Sequence, residues 1–128
     1  MSDFTAIEQA FARIGQRDAR YHERGLLFVL AALEFAQGRL PARRHITGQE
    51  LAWACRDFAR EQFGLLAPTV LRFWGIAATE DIGRIVFHLI DVGLLAQQPD
   101  DRIEDFDRVY DFDEVFTADY RWTGLERA

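Results

Sequence analysis

The feature that most constrains the fold is a run of eight apolar residues at positions 26–33, with the sequence LLFVLAAL. A helix over 20–38 would therefore be apolar nearly all round in its middle, as buried helices are. The run is bounded by Arg24 and Glu34, and it is much shorter than the ~20 apolar residues that a membrane-spanning helix needs. We expect helix 20–38 to be the central and most buried element of the protein.

Apolar residues at spacings of three and four predict two amphipathic helices on either side of this element in the chain. The first covers residues 4–14 and can end at Gly15. The second begins at Thr79, places Glu80 and Asp81 at the positive end of its dipole, and has Gly93 as its cap. Their apolar faces are formed by Phe4, Ile7, Ala10, Phe11 and Ile14, and by Ile82, Ile85, Val86, Leu89 and Ile90.

A capping box predicts where a further helix begins. In Thr47-Gly48-Gln49-Glu50 the threonine hydroxyl can accept from the Glu50 backbone N–H, and the glutamate can accept from that of Thr47. This helix should run to about residue 63, because Gly64 is a typical helix terminator. Cys55 lies on its apolar side and is expected to be a small buried side chain. A short helix over 66–74 follows, with Pro68 tolerated in its first turn.

These elements predict a mainly α protein that forms a single domain of about five helices. Residues 1–98 form its helical core. Two short extended pieces, 94–97 and 108–112, could pair across PDDRIEDF as a β-hairpin. Helix, turn, helix and hairpin in this order outline a winged-helix-like C-terminal half.

Charge and aromatic residues set residues 99–128 apart. They hold ten acidic residues against four arginines, so the net charge of −6 lies entirely in this segment. Disordered acidic tails are usually poor in aromatic residues, whereas this one contains Phe106, Tyr110, Phe112, Phe116, Tyr120 and Trp122. We therefore expect an ordered acidic arm that packs on the core or on a partner subunit.

The composition of the whole chain excludes several classes of protein. With 15 arginines against 21 acidic residues the chain is acidic, which argues against general nucleic-acid binding. The N-terminal sequence lacks the basic and apolar regions of a secretory signal, and no segment is apolar enough to cross a membrane, so a cytoplasmic protein is expected. A single cysteine cannot form an internal disulfide or a cysteine-based zinc site.

Two groups of charged residues are candidate binding sites. Arg39, Arg43 and Arg44, followed by His45, form the densest basic patch, which could bind an anionic ligand, a partner's carboxylates or the protein's own acidic arm, or could be a solvated loop. Arg84 and His88 share the polar face of helix 79–91 with two aspartates. A metal site is not expected there, because zinc and iron need three or four ligands. Phe112 and Phe116 are the candidate docking rings of the arm.

No catalytic constellation and no cofactor motif is apparent. The chain has no phosphate-binding glycine loop, and the acidic residues 111–114 lack the glycine and glutamate that a calcium loop requires. The leading hypothesis is a non-enzymatic interaction or regulatory module that docks through its arm to a protein partner or to a second copy. A winged-helix regulator would bind nucleic acid through Arg72, Arg84 and the 39–44 loop. An enzyme would need Glu34, Glu50, His88 and Asp91 to converge on one site.

Four stretches of the chain also resemble a known family. They are YHERGLLFVLAALEFAQ (21–37), RRHITGQELAWACRDFAREQFG (43–64), TVLRFWGIAATEDIGRIVFHLIDVGLL (69–95) and DRVYDFDEVF (107–116). In this order they are similar to an uncharacterised bacterial family of short proteins, about 130 residues long. The resemblance implies a stand-alone intracellular bacterial protein in which the arm is a regular part. It implies no activity, and no functional residue is carried over from it.

Overall fold

The computed structural model describes residues 2–116 of the chain, with side chains from residue 5. These residues form five α-helices: α1 (Ser2–Arg17), α2 (Glu23–Gly38), α3 (Gly48–Phe63), α4 (Ala67–Phe73) and α5 (Thr79–Asp91). Short 3-10 helices occupy Gly64–Leu66 and Ile103–Phe106, and the backbone is helical again at residues 112–116. The prediction of a mainly α protein with about five helices is confirmed. None of the described helices has both the length and the apolarity needed to cross a membrane.

Helix α2 is the centre of the core, as predicted, and it contacts α1, α3 and α5. Val29 and Ala32 are completely buried, and the ring of Phe28 packs against three aromatic side chains, those of Phe58, Phe63 and Trp74. The apolar run is not buried on every side, however, because Leu27 is 48% exposed. The three neighbouring helices cover only part of the circumference of α2.

The capping box is confirmed and α5 begins at Thr79 as predicted, whereas the end of α1 and the start of α2, at Glu23 rather than residue 20, differ from the prediction. Glu50 N–H donates to Thr47 Oγ1 over 3.1 Å, and Thr47 N–H donates to Glu50 Oε1 over 2.9 Å. Gly15 does not end α1, since the helix continues to Arg17. Thr79 does not cap α5; the Asp81 carboxylate accepts the N–H groups of residues 77 and 78 over 2.9 and 3.1 Å, and the Thr79 side chain turns inward.

The predicted hairpin is absent, because neither 94–97 nor 108–112 is a strand within residues 2–116. Backbone N–H groups in both segments bond elsewhere: those of Leu94 and Leu95 donate to the Leu89 carbonyl over 2.9 and 3.3 Å, and that of Val109 donates to Thr79. The buried Thr79 hydroxyl donates to the Phe106 carbonyl over 2.6 Å and accepts the N–H of Val109 over 3.2 Å. Arg108 between them has a φ of 47°, which interrupts any extended strand.

Residues 99–116 lie against α3 and α5 of the same chain. Phe106, Phe112 and Phe116 are 4–5% exposed and belong to the main hydrophobic cluster. The ring of Phe106 fits over two glycines, and a Cβ added at Gly83 would lie only 2.8 Å from it. The aromatic residues of this segment therefore complete the core. Tyr120 and Trp122 of the predicted arm lie outside the described residues.

Candidate functional site

A cleft of about 460 Å³ opens between the basic loop at residues 41–46 and the C-terminal half of α5. Most of its polar residues are exposed and most of its apolar residues are buried or half-buried, so we call the two sets its rim and its floor. Because residue 101 of the acidic segment and residue 98 just before that segment form one wall, we call it the loop–arm cleft. Its apolar lining comprises Leu33, Ile46, Val86, Ile90, Leu95 and Ala96, and its polar lining comprises Gln37, Arg43, Arg44, His45, Gln98 and Asp101.

The rim of the loop–arm cleft is held by ion pairs. His45 Nε2 lies 2.9 Å from Asp101 Oδ1, so the basic loop and the acidic segment touch here. Arg44 donates two hydrogen bonds to Glu50, of 3.0 and 2.8 Å. These bonds and the one from the Thr47 N–H lower the pKa of Glu50 to about 2. Arg44 therefore braces the capped start of α3.

The other two arginines of the basic patch differ in their setting. Arg39 does not line this cleft; it pairs with Asp57 over 2.9 Å and lies over the ring of Phe35. Arg43 lines the rim and reaches Glu34 over 3.2 Å, but both side chains are about two-thirds exposed. Exposed ion pairs contribute little free energy and exchange readily. Arg43 is thus the guanidinium in this cleft that an incoming carboxylate can recruit.

A second cleft of about 510 Å³ lies between the C-terminal end of α1 and the polar face of α5, and we call it the α1–α5 cleft. Arg84 and His88, both predicted as site residues, line it. His88 Nε2 lies 2.9 Å from Oδ2 of Asp18, a residue 70 positions earlier in the chain. Asp91 also lines this cleft, and it faces Arg17 across 3.8 Å.

Asp18 is the buried carboxylate of this cleft, 9% exposed. Arg20 clamps it with two side-chain hydrogen bonds of 2.7 and 2.6 Å and a backbone N–H bond of 3.2 Å. The Arg20 guanidinium holds the pKa of Asp18 well below its usual range against the opposing effect of burial, and His88 lowers it further. The carboxylate is therefore ionised and fixed in orientation beside the imidazole.

Tyr21 and Asp81 extend this network toward the start of α5. The Tyr21 hydroxyl donates to Asp81 Oδ1 over 2.5 Å, and Arg84 donates to the same oxygen over 2.8 Å. Burial, and then the bond to Asp81, raise the pKa of Tyr21 to about 12. Tyr21 is therefore a neutral hydroxyl that donates, and Asp81 positions Arg84 at the edge of the cleft.

The residues proposed for an enzyme do not meet at one point. Glu34 and Glu50 pair with arginines of the basic loop, whereas His88 and Asp91 line the α1–α5 cleft.

Phe112 and Phe116, the candidate docking rings, are buried rather than displayed on the surface. Across the described side chains, no three His, Cys, Asp or Glu residues are arranged to hold a metal ion.

Sequence reasoning missed one acidic residue of each cleft, Asp18 and Asp101. Asp18 follows the expected end of a helix, and Asp101 is one of ten acidic residues in its segment, so neither stands out by position. The one signal in the sequence was charge complementarity between the basic loop and the acidic segment. The contact between His45 and Asp101 is an example of it. Comparison of the chain with protein-family models, curated proteins and solved structures found no match.

Proposed function

We propose that the protein is a non-enzymatic, cytoplasmic protein-interaction module whose docking surface is the loop–arm cleft. The observation that carries this proposal is the combination of an apolar floor and a polar rim in one cleft of about 460 Å³. The acidic arm contributes Asp101 to the lining of the cleft, beside Gln98 at the end of the core. In this proposal Phe112 and Phe116 support the arm from inside the core.

The partner segment that fits this cleft has an apolar side chain next to a carboxylate. The apolar side chain would bury the half-buried floor residues Val86, Ile90 and Leu95. The carboxylate would take Arg43 away from Glu34, because that exposed pair is weak and a bidentate guanidinium–carboxylate contact is stronger. We therefore expect short acidic peptides with an apolar anchor to bind.

Selection from a random peptide library, followed by fluorescence anisotropy, tests this proposal. Selected peptides should combine an apolar anchor with an acidic residue, and Arg43→Glu should weaken them about tenfold, a change of ~1.4 kcal/mol. The matched control is Arg13→Glu, an exposed position on α1, which contributes no residue to this cleft. A peptide with lysine in place of the acidic residue should restore binding to Arg43→Glu. Failure to enrich such peptides, or equal losses in both variants, would refute the proposal.

The alternative is a winged-helix regulator that binds nucleic acid, and the favouring observation is that α4, a short turn and α5 follow one another as a helix–turn–helix would. Three of its cationic side chains have acidic partners that would compete with DNA phosphates. Arg72 pairs with Asp113, Arg84 with Asp81 and Arg39 with Asp57. Contacts to phosphate dominate the affinity of proteins for DNA. The alternative therefore predicts a complex with duplex DNA whose affinity falls steeply as the salt concentration rises. No mobility shift at low salt would remove it.

Membership in the bacterial family of short proteins and self-association remain parts of the proposal. In the self-association version, the docked segment belongs to a second copy of the chain. The mass in light scattering would then be twice the 14.8 kDa of one chain and would fall to that value in Arg43→Glu. A single-chain mass at all concentrations would assign the cleft to a different protein.

A further inference from the structure

We propose that the α1–α5 cleft binds a phosphate monoester of a small organic molecule, and that His88 takes up a proton when the ligand binds. This site is separate from the loop–arm cleft and does not depend on the function proposed for it. Three arginines, Arg17, Arg20 and Arg84, line the cleft together with His88, against two lining carboxylates, Asp18 and Asp91.

The three arginines differ in how strongly each is paired with a carboxylate of the protein. Arg20 is committed to Asp18 by two short side-chain bonds, and it serves to fix that carboxylate. Arg17 has only a 3.8 Å contact with Asp91, and both of these side chains are more than half exposed. Such a pair is worth little in water. An anion of charge −2 can therefore displace Asp91 and take Arg17 as its partner.

Arg84 is the second cation that can reach the anion. Its partner Asp81 is shared, because the carboxylate of Asp81 also accepts the Tyr21 hydroxyl and two backbone N–H groups at the start of α5. Because the negative charge of Asp81 is shared among these donors, its attraction for the guanidinium of Arg84 is weaker. Asp81 orients the side chain and leaves further N–H donors of its fork for a ligand.

The size and walls of the cleft favour an organic ester over a bare ion. About 510 Å³ is many times the volume of a phosphate group. The non-polar side chains of Phe87 and Ile103 line the same space, and Ile103 is 40% exposed. They form a wall against which an apolar substituent can pack. A tetrahedral phosphate has enough oxygens to accept from Arg17, Arg84 and His88 together.

Proton uptake follows from the position of His88 between a fixed carboxylate and the incoming anion. The groups that face or surround it are Asp18 and Arg17 at the end of α1, Arg20 and Tyr21 in the following loop, and Arg84 and Asp91 on α5. A phosphate on the side away from Asp18 adds negative charge, and both neighbours then favour the imidazolium. The protein should therefore bind a phosphate dianion more tightly when this imidazole is protonated than when it is neutral.

Isothermal titration of the full chain with phenyl phosphate tests the proposal, with inorganic phosphate and phenol as comparison ligands. Phenyl phosphate should bind more tightly than inorganic phosphate, and phenol should not bind. Affinity should be about threefold higher at about pH 7 than at about pH 8.5, a range in which phenyl phosphate stays mainly a dianion because the second pKa of a phosphate monoester is about 6. Repeating the titration in buffers of different ionisation enthalpy should show uptake of a proton.

Two variants test whether the ligand binds in the α1–α5 cleft. Arg17→Gln changes an exposed side chain with one weak contact, so it should keep the fold and weaken phenyl phosphate about tenfold. His88→Gln should abolish the pH dependence and the proton uptake. Arg13→Gln, on α1 outside the cleft, is the matched control and should bind as the unmodified chain does. Any of three results would overturn the proposal: an affinity that is unchanged in Arg17→Gln, an affinity that does not depend on pH, or no binding of phenyl phosphate at millimolar concentration.

Discussion

Replacing Phe106 by alanine is the sharpest test of how residues 99–116 belong to the core. The Phe106 ring is 4% exposed and lies so close to the backbone of α5 that a Cβ at Gly83 would be only 2.8 Å from it. Removing a buried phenylalanine side chain costs about 3–5 kcal/mol, and more where the cavity cannot collapse. Here Thr79 holds the Phe106 backbone in place through a 2.6 Å bond to its carbonyl, so collapse is restricted. We expect a loss near 4 kcal/mol, a large share of the ~5–15 kcal/mol typical of a domain.

The chain offers a matched control in Phe73→Ala, because Phe73 is 77% exposed. The same chemical change at a surface position should alter the free energy of unfolding by no more than about 0.5 kcal/mol. Urea unfolding followed by circular dichroism measures both variants, and similar slopes show that the midpoints can be compared. If the two variants lose equal stability, the segment is not part of the cooperative core and the reasoning fails.

Further predictions concern glycines, acid and the single thiol. Gly83→Ala should destabilise by about 1–3 kcal/mol through overpacking, whereas Gly15→Ala, in an open stretch of α1, should stabilise by about 0.5–1 kcal/mol; thermal unfolding of the pair checks the sign. The lowered pKa of Asp18 gives stability above the ordinary aspartate pKa of about 3.9, which is lost as pH falls. Asp18→Asn should thus lower the urea midpoint at neutral pH and flatten its decline between about pH 5 and pH 2; an unchanged decline would contradict this. Burial raises the pKa of Cys55, so Ellman's reagent should react with it only after unfolding, and rapid reaction of the native protein would contradict its position.

The helices were predictable because their signals are local. The Thr47 capping box and the apolar stripe of α5 each lie within a few turns of chain, so neighbouring residues decide them. Thr79 shows the limit of such local signals. Threonine is a good helix cap by propensity, but a bond to the Phe106 carbonyl, 27 residues away, takes its hydroxyl into the core. The same hydroxyl accepts the N–H of Val109, which lies in the second predicted strand of the hairpin.

The clefts were not predictable because their residues meet only through tertiary packing. Asp18 and His88 are 70 positions apart, and Tyr21 and Asp81 are 60 apart. Arg84 and His88 were recognised as a polar helix face, but nothing near them in sequence identifies the loop after α1 as their neighbour. The arginines of the basic patch could be found from sequence, whereas their division among Asp57, Glu34 and Glu50 depends on how α2 and α3 pack.

The bond between Thr79 and the Phe106 carbonyl has a consequence for biosynthesis. During vectorial synthesis, helices α1–α5 leave the ribosome before residue 106 does, and the groove over Gly83 and Gly48 is then open, with the Thr79 hydroxyl unpaired inside it. Domains fold as units once their contacts are available. The nascent chain therefore exposes an apolar groove until the acidic segment emerges. The groove is filled only when Phe106 is available, so one of the last described segments to be synthesised completes the core.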